Sequence, residues 1–311
     1  MNKRIVVVGS SNTDMIVRIP RIPRPGETVT GGEFAIAPGG KGANQAVAAA
    51  RAGGDVELIA RVGNDLFGKQ AIDGFSLNGI KTDHIVCDRE TASGVALIFI
   101  DREGENSIAV ASGANMKLTP NDIEAAEKSI ASANSLLLQL EIPQETVKAA
   151  VKIAAKHRMM IILNPAPWNP LDDELLRQVT IITPNKAEAE MMSGVKIESE
   201  SDLASAAKII HSRGVESVLI TLGVQGAFLL GYGLRELVPA FKVQAVDKTA
   251  AGDVFNGALA VALAEEKPIR EAVRFANAAA ALSVTRMGAQ PSAPFRNEID
   301  EFLKTSIAEL G

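Results

Sequence analysis

The chain contains few of the residues that form disulfides, metal sites or basic surfaces. Cys87 is the single cysteine among 311 residues, which excludes an internal disulfide and fits a reducing compartment. The three histidines, His84, His157 and His211, lack the paired spacing of metal ligands, so we expect surface or packing roles for them. Thirty-two basic residues stand against 37 acidic ones, a net charge of -5, and no basic cluster occurs. Nucleic acids and anionic membranes are therefore poor candidate partners.

Long apolar runs are also missing. No run is long enough to span a membrane, and the N-terminal residues lead into an apolar strand without the cleavage pattern of a signal peptide. We therefore expect a soluble, cytoplasmic protein. The remaining composition, 47% hydrophobic and 22% charged, is that of an ordinary globular protein. At this length, the chain can form one large α/β domain or two ordinary domains.

Apolar runs of strand length alternate with amphipathic stretches of helix length. Ile5–Val8 is an uninterrupted apolar run that ends at a glycine, which is typical of a strand buried on both faces. Further strands are predicted at Val56–Ala60, Leu136–Leu140, Met160–Leu163, Ile181–Thr183 and Val218–Leu222, with helices such as Gln144–His157 and Ser201–Arg213. This order predicts an α/β fold, a parallel sheet with helices on both faces. Its active site is expected beyond the carboxyl ends of the strands.

Two segments interrupt the alternation of strands and helices. Residues 15–36 combine alternating apolar and polar positions with three prolines, and residues 92–111 contain a predicted hairpin with a polar turn at 101–106. We expect these segments to form a small antiparallel sheet that closes over a substrate and pairs with a second copy. Residues 1–14, 37–91 and 112–311 are then the main α/β domain.

A glycine-rich motif, Pro38-Gly39-Gly40-Lys41-Gly42-Ala43-Asn44, opens an alanine-rich helix. It lacks the spacing of a Walker A loop. Its glycines allow a polyhydroxylated ligand to rest on the backbone, while Lys41 and Asn44 donate to hydroxyl groups. A tight turn with a solvated lysine explains the motif about equally well. Neither glycine-rich segment of the chain matches the GxGxxG fingerprint that follows the first strand of dinucleotide-binding folds. This weakens the hypothesis of a dinucleotide-binding protein.

A second motif runs from Asp247 to Gly257, where small residues and Gly252 precede an acid and an apolar helix. Bare N–H groups at such a helix start bind anions. An acid beside a bound phosphate is useful if it takes a proton from the attacking hydroxyl, which is the functional interpretation of Asp253. From this segment alone, a carboxylate that complements the helix dipole is slightly favoured.

Two weaker signals lie between these motifs. In Asn185-Lys186-Ala187-Glu188, Asn185 and Glu188 have the spacing of a helix capping box. The same two side chains could instead lie near Mg²⁺ and act through its bound waters. The segment Thr221–Gly226 is a glycine turn after a strand and is suited to passing beneath a nucleotide, although such turns are common.

Together these residues resemble the PfkB (ribokinase-like) family of sugar and nucleoside kinases over essentially the whole chain. The signatures are Gly39-Gly40-Lys41-Gly42-Ala43-Asn44 and Ala251-Gly252-Asp253. The resemblance implies a three-layer α/β/α sandwich with a mostly parallel central sheet, and a small antiparallel β-sheet as lid and dimer clasp. It also implies ATP-dependent phosphorylation of D-ribose at O5 to give ribose 5-phosphate.

The resemblance also assigns roles to individual residues. Asp253 is implied as the catalytic base, with an anion hole at Ala250, Ala251, Gly252 and Asp253. The implied sugar ligands are Asn12, Asp14, Gly40, Lys41, Asn44, Glu141 and Asp253. The implied ATP site comprises Asn185, Thr221, Gly223, Gly226, Gly252 and Asn277, with Glu188 linked to Mg²⁺ through water. A K⁺ site is implied at Asp247, Thr249, Ser283, Arg286, Gly288 and Ser292, several of them through backbone carbonyls.

Two positions depart from the pattern of the family. Lys248 stands where the second residue of the end signature is usually small or β-branched. If only its backbone takes part, nothing changes, whereas an inward-pointing side chain would compete with the monovalent cation. Ala250-Ala251 replaces a common Gly-Ala, which still leaves the amides accessible.

Three alternatives stay open at this point. The substrate could be deoxyribose, another sugar or a nucleoside; the polar set of Asn12, Asp14, Lys41 and Glu141 favours a hydroxyl-rich furanose. A nicotinamide oxidoreductase would also use an α/β sheet but lacks its glycine fingerprint here. A sugar-binding module without catalysis is disfavoured by Asp253 and the anion hole.

Overall fold

A computed structural model describes residues 4–308, which form two β-sheets and eleven α-helices. The strands are β1 (Arg4–Val8), β2 (Asn12–Arg18), β3 (Glu33–Gly39), β4 (Asp55–Gly63), β5 (Ile85–Asp88), β6 (Gly94–Ile100), β7 (Asn106–Ala111), β8 (Ser135–Leu138), β9 (Met160–Leu163), β10 (Ile181–Ile182), β11 (Ser217–Thr221), β12 (Ala227–Gly231) and β13 (Leu234–Val238). The helices are α1 (Lys41–Arg51), α2 (Leu66–Leu77), α3 (Pro120–Ala125), α4 (Glu127–Ala131), α5 (Gln144–Lys156), α6 (Asp173–Leu176), α7 (Lys186–Ser193), α8 (Glu200–Ser212), α9 (Ala251–Ala264), α10 (Ile269–Ser283) and α11 (Arg296–Ala308).

The large sheet has nine strands in the order β13-β12-β11-β10-β9-β8-β1-β4-β5. The strands from β11 to β5 are parallel, and β12 and β13 add an antiparallel edge. Ile5 and Val7 of β1 belong to one hydrophobic cluster and Val6 and Val8 to another, on the opposite face of the sheet. Since successive side chains of a strand point to opposite faces, helices cover both. The predicted three-layer α/β fold is confirmed.

One layer of helices contains the closely packed pair α1 and α9. Gly257 makes their approach possible, because a Cβ there would lie 2.6 Å from the Gln45 carbonyl oxygen and 2.8 Å from Ala48 Cβ. The two helices begin with the two glycine-rich motifs. Their contact therefore brings the lysine motif and the Asp253 motif together at one end of the sheet.

The small sheet has the order β3-β2-β6-β7. Two antiparallel pairs, β2 with β3 and β6 with β7, are joined by a parallel pairing of β2 and β6. Its strands extend to Asn12 and Gly39, beyond the predicted segment 15–36. The division into a main domain and a lid remains a proposal, and residues 1–3 and 309–311 of its bounds lie outside the described residues. Within residues 4–308, no helix is long and apolar enough to cross a membrane.

Candidate active site

Helix α9 begins with a strained residue. Ala250, its N-cap, has φ 59° and ψ 13°, a left-handed conformation that costs an alanine about 1–2 kcal/mol. Among the described residues, no side chain caps the start of this helix. Gly252 is exposed and a Cβ there would meet no described atom within 4 Å, so the space beside this helix start is open. The Ala251 N–H makes a long 3.3 Å bond to the Lys248 carbonyl and must turn from it to reach an anion.

Asp253 follows in the first turn and is 6% exposed. Asn44 Nδ2 donates to its Oδ2 and Gln45 Nε2 to its Oδ1, each at 3.0 Å. Burial raises the pKa of Asp253, and the positive charge of Lys41 together with these two donors opposes that rise. A carboxylate with a raised pKa is a stronger base than an ordinary aspartate, which suits general-base catalysis.

Lys41 lies at the start of α1, where Gly40 has φ 88°. A Cβ at Gly40 would lie 2.7 Å from the Asn12 amide nitrogen, so glycine is required for this approach. Burial lowers the pKa of Lys41, but Asp253, Glu141 and Glu188 together raise it overall. Lys41 is therefore a stable cation among carboxylates.

Glu141 caps the same helix from the end of β8. Its Oε2 accepts a 2.9 Å bond from the Lys41 amide and a 2.5 Å bond from Ser10 Oγ. A carboxylate at a helix N-terminus also interacts favourably with the helix dipole. Glu141 thus has a structural role whether or not it binds a sugar.

The sugar residues predicted on β2 lie against glycines of the neighbouring strands. A Cβ at Gly94 would lie 2.2 Å from Asn12 Oδ1, and one at Gly39 would lie 2.3 Å from both carboxylate oxygens of Asp14. Burial, followed by repulsion from Glu141 and Asp253, raises the pKa of Asp14 to about 6. Asp14, Glu141, Lys41 and Asp253 therefore share one electrostatic environment.

Asn185 and Glu188, which the sequence places near ATP and Mg²⁺ or in a capping box, form the capping box at the start of α7. Asn185 Oδ1 accepts from the Glu188 amide at 2.9 Å, and Glu188 Oε2 accepts from the Asn185 amide at 2.8 Å. Asn185 also forms a β-bridge with Thr221 at the end of β11. Burial raises the pKa of Glu188, while the hydrogen bond from the Asn185 amide and the positive charge of Lys41 oppose the rise. One oxygen of Glu188 is thus committed to the cap.

The other predicted ATP residues surround the exit from β11. Gly223 and Gly226 have positive φ, and a Cβ at Gly226 would lie 2.1 Å from the Val238 carbonyl oxygen. Asn277 Nδ2 donates to the carbonyls of Val238 and Pro239 at 3.1 and 3.2 Å. These contacts give Gly226 and Asn277 structural roles in holding the chain after β13.

The predicted cation residues lie on two segments that meet, since the amides of Val246 and Asp247 both donate to the Val284 carbonyl. Asp247 accepts bonds from the amide and hydroxyl of Thr249 and, at 2.8 Å, from the Gly288 amide. Ser283 and Ser292 donate their hydroxyls to nearby backbone carbonyls, and the Arg286 guanidinium pairs with Glu298. Lys248 is exposed, so its side chain does not enter this loop.

Three polar residues of the site have no role in the sequence prediction. Gln45 contacts Asp253, Ser10 contacts Glu141, and Asn115 Nδ2 donates to Asn12 Oδ1 at 2.7 Å. The one sequence signal for these three residues was the position of Gln45 directly after Asn44 of the glycine-rich motif. Asn115 comes from a short helical turn after β7, which only the fold brings beside β2.

A buried carboxylate, a lysine and an open helix N-terminus meet beside the small sheet. This fold and site define an enzyme that transfers a phosphoryl group to an alcohol. Residues 2–296 match the model of the pfkB family carbohydrate kinases. The chain belongs to this family.

Individual relatives agree with this assignment. The chain is 47% identical to a ribokinase of Haemophilus influenzae, over 98% of this chain and 99% of the relative. It is 36% identical to a deoxyribokinase of Salmonella typhi, over 96% of this chain and 98% of the relative. The structure of Arabidopsis thaliana ribokinase complexed with ribose and ATP is similar, with a TM-score of 0.91 and 34% identity, over 98% of this chain and 99% of that one.

Proposed function

We propose that this chain transfers the γ-phosphoryl group of ATP to O5 of D-ribose, giving ribose 5-phosphate. The carrying observation is the position of Asp253, buried beside the open amides of α9 and facing Lys41. Such a carboxylate takes the proton of the attacking hydroxyl, while the helix N-terminus and Lys41 stabilise the charge of the transferred group. The single cysteine fits a cytoplasmic location, which stays a prediction.

The sugar is proposed to bind between the small sheet and the start of α1. Asn12, Asp14, Gly40, Lys41, Asn44 and Glu141 are the proposed ligands. The ionised form of Asp14 accepts hydrogen bonds from hydroxyl groups, and the backbone at Gly40 allows a sugar ring to approach closely. Closure of the small sheet would exclude water, which otherwise competes for the phosphoryl group.

ATP is proposed to lie over the turn after β11, with Asn185, Thr221, Gly223, Gly226, Gly252 and Asn277 around it. Glu188 lies near Lys41 and Asp253, and its Oε2 is committed to the helix cap. Its other carboxylate oxygen is the one proposed to contact a water molecule bound to Mg²⁺. Mg²⁺ bound there would offset the charge of the phosphates.

Potassium is proposed at the loop where Asp247 and Thr249 meet Gly288. The donor set is rich in oxygen, as a hard monovalent cation requires. Bound K⁺ would add positive potential beside the anion hole. In this structure, Asp247, Thr249 and Gly288 are held together by hydrogen bonds, whereas the side chains of Ser283, Arg286 and Ser292 face other partners.

The proposed function is tested by coupled ADP release over a panel of pentoses, hexoses and nucleosides. We expect ribose to give the highest kcat/KM and K⁺ to raise the rate several-fold over a K⁺-free buffer. A higher kcat/KM for deoxyribose or a nucleoside would identify that compound, and not ribose, as the preferred substrate of this kinase. ADP release that is independent of every acceptor would contradict the proposal.

We also propose a homodimer through the small sheet, since both its faces expose apolar side chains. Phe34 and Ile36 are 61% and 54% exposed on one face, and Ile108 and Val110 are 55% and 54% exposed on the face that carries Asp14. Sedimentation should give a dimer for the wild type. Either Ile36→Asp or Val110→Asp should give a monomer, which identifies the contacting face. A monomeric wild type would contradict the proposal.

A further inference from the structure

A chain of buried polar side chains runs beneath Asp253. Its members are Gln139, Gln45, Asn164, Thr183 and Asn256, each at most 7% exposed. We call them the amide network. Two come from α1 and α9, and three directly follow the neighbouring strands β8, β9 and β10. Five buried polar side chains need hydrogen bonds to offset their desolvation, so an apolar layer would fill the same space at less cost.

The first half of the amide network holds the carboxylate. Gln139 Nε2 donates to Gln45 Oε1 at 2.6 Å. Gln45 Nε2 then uses its two protons on Asp253 Oδ1 at 3.0 Å and Asn164 Oδ1 at 3.1 Å. Since a glutamine amide has two donors and one acceptor group, these bonds fix which way Gln45 faces.

The second half reaches the first turn of α9. Asn164 Nδ2 donates to the Thr183 carbonyl at 3.0 Å. Thr183 Oγ1 donates to Asn256 Oδ1 at 2.7 Å, and Asn256 Nδ2 donates to the Gly252 carbonyl at 2.8 Å. The network thus starts at the carboxylate of Asp253 and returns to the backbone of the residue before it.

We propose that the amide network positions the Asp253 carboxylate relative to the open amides of α9, and that the Thr183 hydroxyl is the link that joins the network to Asn256 and so to the first turn of α9. The inference rests on the proposed kinase function and adds positioning residues to it. Displacement of a reacting group by about 1 Å can cost a hundredfold in rate, so a fixed carboxylate is worth the buried polar groups that hold it.

The charged groups around Asp253 lie outside the amide network. They are Lys41 on α1, Glu141 after β8, Glu188 on α7 and Asp14 on β2. A change at Thr183 leaves all of these charges in place. Its effect on catalysis therefore reports on the hydrogen-bonded link and not on the electrostatics of the site.

The test compares Thr183→Val, which keeps the side-chain shape and removes the hydroxyl, with Thr183→Ser, which keeps the hydroxyl and removes a methyl group. We expect Thr183→Val to lower kcat about 10-fold with the KM for ribose and ATP changed less than about twofold. Thr183→Ser should keep most of kcat. The reverse order would mean that packing matters and would overturn the proposal.

A matched control removes a buried hydroxyl elsewhere. Thr146 is fully buried, and its Oγ1 donates to the Leu118 carbonyl at 2.6 Å. Thr146→Val should lower the melting temperature and leave kcat unchanged. An equal loss of kcat in Thr146→Val and Thr183→Val would reduce the Thr183 effect to general destabilisation and contradict the proposal.

A second measurement does not need turnover. The ¹³Cγ shift of Asp253, assigned through Asp253→Asn, is followed against pH in the wild type, Gln45→Met and Thr183→Val. Loss of the Gln45 donor should raise the pKa of the carboxylate, because that bond favours its charged form. A smaller rise is expected in Thr183→Val. If the titration of Asp253 is unchanged in both variants, the proposed positioning role of the amide network is wrong. If the titration shifts in the variants but the wild type is inactive as a kinase, only the proposed function is wrong.

Discussion

Asp253→Asn is expected to lower kcat for ribose phosphorylation by about a thousandfold, the usual range for loss of a general base. The amide has nearly the shape of the carboxylate but cannot accept the proton of the attacking hydroxyl. Binding should change far less, since Lys41 and the amides of α9 stay in place. The KM values for ribose and ATP are therefore expected within about threefold of the wild type. Steady-state ADP release and ligand titration of the inactive variant provide the measurements.

The local hydrogen bonds complicate this substitution in a predictable way. Asn44 and Gln45 each donate to one carboxylate oxygen, whereas an asparagine offers only one acceptor oxygen. One of the two donors must then face an NH₂ group. The melting temperature is measured alongside kcat, and Asp73→Asn on the exposed face of α2 controls for the change of charge. A variant with near-normal turnover would remove Asp253 from the role of base.

The layers of the fold were predictable because buried parallel strands give continuous apolar runs. Val6 and Val8 pack on one face and Ile5 and Val7 on the other. Because both faces are buried, all four positions are apolar and the strand stands out as an uninterrupted apolar run. The small sheet was predictable as two interruptions of the pattern. Its parallel pairing of β2 with β6 was not, because that contact depends on how the two segments meet in space.

The candidate site was predictable where glycines mark backbone positions that other residues cannot occupy. Gly40 illustrates this, since a Cβ there would strike the Asn12 amide. The hydrogen-bond partners were less accessible to sequence reasoning. Asn44 was predicted to bind hydroxyl groups, which stays a prediction, and in the structure it donates to Asp253. Gln45, Asn164 and Thr183 come from α1 and from the ends of β9 and β10, and only the packing of α1 against the sheet unites them.

Asp14→Asn is expected to stabilise the protein and to impair its use of ribose. The pKa of Asp14 is raised from 3.8 to about 6, so the folded state binds this proton more tightly than the unfolded state does. The stability from this proton is complete below pH 3.8 and is lost as the pH rises through 6. At pH 8 the ionised, partly buried carboxylate therefore costs about 2–3 kcal/mol of unfolding free energy. The neutral amide avoids that cost.

Urea unfolding of the wild type and Asp14→Asn at pH 8 and pH 4 measures this difference. The variant should be more stable at pH 8, and the gain should largely disappear at pH 4, where Asp14 of the wild type is protonated. Glu33→Gln, at an exposed position on the neighbouring strand β3, makes the same change of charge without desolvation and should leave stability unchanged. Lower stability of Asp14→Asn at pH 8 would contradict the electrostatic argument.

The same substitution separates stability from function. If the Asp14 carboxylate accepts hydrogen bonds from sugar hydroxyls, its loss should raise the KM for ribose about 10- to 100-fold, the range for a hydrogen bond to a charged group. In the wild type, this KM should rise as the pH falls below 6, because protonation removes the charged acceptor. The KM of Asp14→Asn should not follow pH in that window. Sugar binding would then explain why a carboxylate that destabilises the fold stands at position 14. An unchanged KM for ribose would contradict a role of Asp14 in the sugar site.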